Sequence, residues 1–358
     1  MALDIFDFMR TTNNYELTFY EEPSVSLRAI IAINNTVLGP VLASTKIFDF
    51  GDVDRATQVA LRMAYYNTFR SALLRRPFGG GSIVLCGDPR KVKNEFFLRA
   101  LGIYINKFGG NLFIARSADL TDEDMKYLLR ETEFVLGADE EYLMNDLTPS
   151  RATALGIING IRAAVKHKFG RDEISGLTFV VQGIDGVGYY IVEQLLQNQD
   201  VNVIITDRVY DRIKAIQDRV PEVKVVRPGE IYKQACDVFI SCTFDNAISG
   251  EEAKQLNTKI LTSSVNNVVY SAEVEQLLAD RGILHIPGYV VNGGEIILFD
   301  NELSGLGPDV TQNQLGDIYN ITLDLLRQAQ DQKKTVNEVA IATASAYIEN
   351  IAAIKKLR

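Results

Sequence analysis

Apolar and polar positions alternate along this chain in two distinct rhythms. Up to about residue 148, short strand-like stretches at 17–20 and 27–33 precede a long run of helical periodicity over roughly 52–74. Further strands are predicted at 82–86 and 112–115, with a helix near 94–108 between them. That order of elements describes a mixed α/β domain. From Pro149 onward the rhythm becomes regular. Ala154, Ile157, Ile158, Ile161 and Val165 recur at helical spacing, and Gly170 follows as a stop. Short apolar strands are then predicted at 177–182, 201–207, 223–226, 237–242, 259–262 and 283–286, with helices between them. Strands this apolar, alternating with helices, predict a parallel sheet covered on both faces, which is the doubly wound nucleotide-binding architecture. The last helix opens on a capping box, Thr335-Val336-Asn337-Glu338, and carries Val339, Ala342, Ala346 and Ile351 on one face. It is expected to pack back on the first domain or across the cleft.

The pattern therefore predicts two domains with a cleft between them. The first covers 1–147 and is joined by the C-terminal helix at about 335–358; the second, Rossmann-type, covers 148–334. The 358 residues suffice for both. With 47% hydrophobic and 23% charged residues, the composition is that of an ordinary globular protein. A net charge of −9 argues against nucleic acid, since phosphate binding needs clustered Lys and Arg. The apolar stretches are too short to span a bilayer, and no basic region precedes an apolar core at the N-terminus, so a cytoplasmic protein without a membrane partner is expected. Cys86, Cys236 and Cys242 each sit in an apolar run and read as reduced, buried thiols. With only His167 and His285 available, no cluster has metal-ligand spacing, and no metal is expected.

Several motifs, taken in order, resemble the leucine, phenylalanine and valine dehydrogenases of the Glu/Leu/Phe/Val amino-acid dehydrogenase family. They are Ala29-Ile30-Ile31-Ala32-Ile33 with Leu38-Gly39-Pro40, Gly79-Gly80-Gly81 with Gly87-Asp88-Pro89-Arg90, Glu123-Asp124-Met125 with Glu131-Thr132, and Thr153-Ala154-Leu155-Gly156. Val181-Gln182-Gly183, Thr206-Asp207, Asn266-Asn267 and Tyr289-Val290-Val291-Asn292-Gly293-Gly294 complete the set. The resemblance implies oxidative deamination of an α-amino acid to an α-keto acid, with hydride passed to NAD. It implies two lysines and an aspartate in the cleft, where one lysine grips the substrate carboxylate, the other polarises the carbonyl and the attacking water, and the aspartate moves protons. It also implies a homo-oligomer, a dimer or higher, and leaves open a hetero-oligomer with an active homologue.

Here those positions hold different residues. The carboxylate-binding lysine falls on Arg70, the catalytic lysine on Ser82 and the catalytic aspartate on Ser117. The family's Gly-Gly pair falls on Ala43-Ser44, and a positive charge remains at Lys46. An arginine fork still suits a carboxylate. A serine hydroxyl is neither a cation nor a base near pH 7. The catalytic residues are accordingly unassigned, and the expected substrate-binding set is Lys46, Arg70, Ser82, Ser117, Asn267 and Asn292. In the nucleotide loop, Gly183, Gly186 and Gly188 keep three glycines, but Asp185 stands where the fingerprint wants glycine beside the pyrophosphate. Asp207, about twenty residues on, suits a ribose hydroxyl and so NAD over NADP. With Asn292, these form the expected cofactor set, and NAD binding is left open because Asp185 opposes it.

The expectation is an amino-acid-dehydrogenase-like protein that binds a small carboxylate ligand, derived from an α-amino or α-keto acid, in the interdomain cleft without standard oxidative deamination. It would be an enzyme repurposed for a compound of specialised metabolism or a pseudoenzyme. Two alternatives stand beside it: a divergent but active NAD-dependent dehydrogenase, and a ligand sensor or non-catalytic partner subunit.

Overall fold

The computed structural model describes residues 4–197, 200–244 and 248–357. Among the described residues, twelve strands fall into two six-stranded sheets, one in each of two compact units. The first unit holds residues 1–149, 296–308 and 343–358, and the second holds 150–295 and 309–342.

The first sheet contains β1 (Glu16–Glu22), β2 (Leu27–Asn35), β3 (Val41–Phe48), β4 (Gly79–Cys86), β5 (Leu112–Ala115) and β6 (Val135–Leu136), in the order β1-β2-β4-β3-β5-β6. β1 pairs antiparallel with β2, and β2 antiparallel with β4, while β4, β3, β5 and β6 are mutually parallel. Strand periodicity sorts side chains by face. Leu27, Ala29, Ile31 and Ile33 of β2 point into a core shared with Phe97, Leu98, Leu101 and Ile105 from the helix Glu95–Asn106. Leu101 is fully buried there, so truncating it to alanine would cost about 2–5 kcal/mol. Alternation along β3 sends Val41, Ala43 and Ile47 into this core and leaves Ser44 and Lys46 for the opposite face. On that face lies the helix Val53–Leu73, capped by the Asp52 carboxylate, which accepts the Arg55 backbone N–H.

The excursion 296–308 is tied to the first sheet by polar contacts. Glu302 accepts the Gly137 N–H at 2.7 Å, and Asp300 pairs with Arg76 at 2.9 Å. Burial pushes the Glu302 carboxyl up to about 7, against the pull of backbone N–H groups at Gly137, Ala138 and Asp139.

The second sheet is fully parallel. It comprises β7 (Thr178–Gln182), β8 (Asn202–Thr206), β9 (Lys224–Val225), β10 (Val238–Ser241), β11 (Ile260–Ser263) and β12 (Leu284–His285), in the order β12-β11-β10-β7-β8-β9. Chain order reverses between β7 and β10, which is the switch point of a doubly wound dinucleotide fold. Its strands are apolar on both faces, as a sheet covered by helices on either side requires.

The strands predicted from the apolar pattern are present. β3 was not among them, although it lies near the middle of the first sheet. No described helix is long and apolar enough to cross a membrane.

Candidate functional site

In the first unit, polar groups gather where the glycine strand meets the long helix. Gly80 has to be glycine for want of room: a Cβ there would lie 2.0 Å from the Thr68 hydroxyl and 2.6 Å from the Ala64 carbonyl. That close approach sets Asn67 and Arg70 against the sheet. Asn67 Nδ2 donates to the Gly81 carbonyl at 2.8 Å and to Ser44 Oγ at 3.0 Å, and Arg70 Nη2 donates to the same Ser44 Oγ at 3.2 Å. A hydroxyl accepting two such bonds directs its own proton outward. Arg70 is only 5% exposed, in the last turn of its helix, where the dipole favours a cation.

The two serines behave differently. Ser82 is wholly buried and donates to the Ala60 carbonyl at 2.7 Å, so its hydroxyl ties strand to helix. Ser117 is half-buried after β5, and its Oγ accepts the Asp119 N–H at 3.4 Å. Lys46, also half-buried, lies 3.0 Å from Asp119, whose carboxylate additionally accepts the Ile47 N–H. Lys93 bonds the Asp119 carbonyl and pairs with Asp124 at 2.6 Å. Asp119 thus brings a carboxylate two residues from the position where the resemblance expects one. The sequence reading missed it because it carries no motif of its own.

In the second unit, β7 runs through Gly183 into the helix Val187–Leu196. Gly186, at φ 49° and ψ −109°, caps that helix with no side-chain hydrogen bond, and within the first turn the Gly188 N–H is already engaged by the Asp185 carbonyl at 3.0 Å. A Cβ on Gly188 would sit 2.1 Å from the Gly183 carbonyl, so the helix rests directly on the loop. The Asp185 side chain is 60% exposed and pairs with Arg212 Nη2 at 2.6 Å. Asp207 is nearly enclosed: its Oδ2 accepts the Ile184 N–H at 2.9 Å, and its Oδ1 accepts the Val209 N–H at 2.8 Å and lies 3.5 Å from Arg212 Nη1. Arg212 is the partner that sequence reading could not supply. It stands five residues beyond Asp207, on the helix Tyr210–Gln217, with no fingerprint to mark it.

The loop 291–294 packs on the start of the helix Pro149–Phe169. A Cβ on Gly294 would meet the Ala152 carbonyl at 2.0 Å. Asn292 Nδ2 donates to the Ser264 carbonyl and to Asn266 Oδ1, whereas its buried Oδ1 has no hydrogen-bond partner among the described residues. The same holds for the buried Thr153 Oγ1. Asn267, 3% exposed, accepts the Val269 N–H and so shapes its own turn.

All three cysteines are free and partly buried. Burial raises each thiol, Cys236 to about 11 and Cys242 to about 12. No group of three or more His, Cys, Asp or Glu among the described residues could hold a metal ion.

Comparisons with known proteins match the chain in two segments. Residues 15–140 match the family described as Glu/Leu/Phe/Val dehydrogenase, dimerisation domain, and residues 147–355 match glutamate/leucine/phenylalanine/valine dehydrogenase. Leucine dehydrogenase of Bacillus subtilis (strain 168) is 33% identical over 318 residues, spanning 88% of this chain and 86% of the relative. Phenylalanine dehydrogenase of Bacillus thermotolerans is 30% identical over 337 residues, spanning 93% and 88%. Among solved structures, L-tryptophan dehydrogenase from Nostoc punctiforme superposes with a TM-score of 0.75 at 28% identity, covering 97% of this chain and 99% of that one. The hetero-hexameric glutamate dehydrogenase from Thermus thermophilus shares the fold, with a TM-score of 0.76 at 16% identity over 99% and 95%. The chain belongs to the glutamate/leucine/phenylalanine/valine dehydrogenase family and carries that family's dimerisation domain.

Proposed function

We propose that this protein binds the carboxylate of an α-amino or α-keto acid at Arg70 and does not perform standard oxidative deamination. The observation that carries the reading is the fate of position 82. Where the family resemblance implies a lysine that polarises the carbonyl, this chain has a wholly buried hydroxyl donating to a backbone carbonyl. Such a group supplies neither positive charge nor a proton acceptor near pH 7. Arg70, by contrast, keeps a guanidinium beside the triple glycine, where its fork and the Ser44 hydroxyl can grip a carboxylate. On this reading the protein is a repurposed enzyme or a ligand-sensing subunit, working as a homo-oligomer through the dimerisation domain.

The second unit suits NAD. The N-terminal end of the helix after Gly186, without the engaged Gly188 amide, would take the pyrophosphate, and Asn292 Oδ1 and Thr153 Oγ1, which have no hydrogen-bond partner among the described residues, offer polar atoms to a carboxamide. When bound, the nicotinamide supplies a hydride acceptor. Asp185, the residue that opposes a pyrophosphate by its charge, is engaged by Arg212.

A second reading, an active dehydrogenase with its acid–base pair displaced, draws on Lys46 and Asp119 lying 3.0 Å apart. One assay separates the two. NAD-dependent deamination of Leu, Val, Phe and Trp should run at least about 100-fold below a typical turnover of roughly 10 s⁻¹, the loss expected for a missing acid–base group. Turnover near that typical value, abolished by Asp119→Asn, establishes the second reading instead. Ligand-induced thermal stabilisation by amino acids, keto acids and NAD then identifies what the sites hold.

A further inference from the structure

The first unit contains a cavity of about 500 Å³ lined by none of the residues assigned above. It opens beside β1 and β2, where β3 and β4 end, and its volume is that of a small-molecule site. Its walls combine three kinds of chemistry. Phe19 and Phe50 give aromatic surface, and Phe19 is 52% exposed. Arg28 gives a guanidinium; it lies directly opposite Glu21 in the β1–β2 register, yet it closes no ion pair with any described carboxylate. Asp49 gives a carboxylate, of which Oδ1 accepts the Gly51 N–H. Arg28 and Asp49 line the cavity together with Cys86, so a positive and a negative group share its wall with a thiol.

A separated guanidinium and carboxylate beside aromatic walls match a zwitterion with an apolar side chain. We propose that this cavity is a second amino-acid site, in which Arg28 takes the α-carboxylate, Asp49 takes the ammonium, and Phe19 and Phe50 flank the side chain. The site is separate from Arg70, does not depend on the function proposed for that residue, and would let an apolar amino acid act on the protein as an effector.

Cys86 reports occupancy. The Cys236 and Cys242 thiols are held at about 11 and about 12, so Cys86 is the thiol expected to alkylate first. The test is the rate of iodoacetamide labelling of Cys86 in the full-length protein, mapped by mass spectrometry with and without L-phenylalanine. Saturating L-phenylalanine should slow labelling about tenfold, and Arg28→Gln should raise the concentration needed by about tenfold or more, the loss of a charge-assisted pair. Arg28→Lys should keep part of the protection, and Arg70→Gln should keep all of it. Phenylethylamine and phenylacetate, each lacking one charge, should protect far less. The proposal is overturned if L-phenylalanine leaves labelling unchanged, if protection survives Arg28→Gln, or if it disappears with Arg70→Gln. It is equally overturned if labelling depends on protein concentration alone, which would place a second copy of the chain in the cavity.

Discussion

The glycine strand of the first unit and the glycine loop of the second have answered the loss of expected residues in opposite ways. Around Arg70 the replacement side chains have been absorbed into packing. Ser82 donates to Ala60, and Ser44 accepts from both Asn67 and Arg70. Around Gly183 the replacement stays at the surface: Asp185 is largely exposed and answered by another surface charge, while elsewhere in the same unit buried atoms of Asn292 and Thr153 have no hydrogen-bond partner among the described residues. A hydroxyl that spends its only proton on a backbone carbonyl, as Ser82 does, has none left to donate to a ligand, whereas an unmatched buried acceptor gains on meeting one. The position of Ser82 has become self-sufficient, and the second region still has something to gain from a partner.

Four changes test that contrast. The largest effect should come from Gly188→Ala, because its Cβ would lie 2.1 Å from a carbonyl that cannot give way. A loss of about 3 kcal/mol in denaturant unfolding is expected from such overpacking, together with loss of NAD binding in calorimetry. Unchanged stability would mean that the helix can lift off the loop.

Next comes a pH effect in the first unit. The Glu302 carboxyl titrates near 7 when folded and near 4.5 as a reference group, so the folded state holds the extra proton between those values. Stability should therefore fall as pH rises from 4.5 to 7, by roughly 3 kcal/mol at most for a shift of this size. Glu302→Gln, which still accepts the Gly137 N–H, should flatten the profile in that window. A wild-type slope that persists in the variant removes Glu302 as its source.

Arg70→Ala should weaken L-leucine or ketoisocaproate binding by about 100-fold, and Arg70→Lys by about tenfold, since the bidentate grip is lost. Equal affinities in all three proteins, measured by calorimetry, would show that the carboxylate is held elsewhere.

The smallest effect should be that of Asp185→Gly on NAD affinity. An uncompensated carboxylate about 4 Å from a phosphate would cost about 4 kcal/mol at an effective dielectric near 20. The contact with Arg212 already offsets most of that, so tightening of less than about tenfold is expected, as for an exposed pair. Tightening by about a thousandfold would show that Arg212 does not shield the phosphate.

Much of the fold was legible in the chain because covered parallel strands must be apolar on both faces, and β7, β8, β10 and β11 announce themselves that way. β3 was hidden by the same logic run in reverse. Ser44 and Lys46 occupy one of its faces for contacts with Asn67, Arg70 and Asp119, which dilutes the apolar run. The excursion 296–308 reads as any apolar helix, and nothing in its periodicity tells which unit Glu302 will join. In the site, Arg70 and Ser82 could be placed by counting from the glycines. The acceptor of the Ser82 hydroxyl, and the arginine that answers Asp185, are set by tertiary approach across 22 and 27 residues.

The chain passes from one unit to the other at 149/150, 295/296, 308/309 and 342/343. A ribosome releasing this polypeptide from its N-terminus cannot finish the first unit first. The opening 149 residues emerge early, but the unit's segments 296–308 and 343–358 follow only after residues 150–295, at a pace of about 5–20 residues per second. For many seconds the first sheet must wait without the Glu302 and Asp300 ties, while the second unit can gather everything but residues 309–342 around its parallel sheet. The first unit is thus completed only after the second has been synthesised, and the part of the helix Val336–Lys355 beyond 342 is the closing stitch of the domain that was begun first.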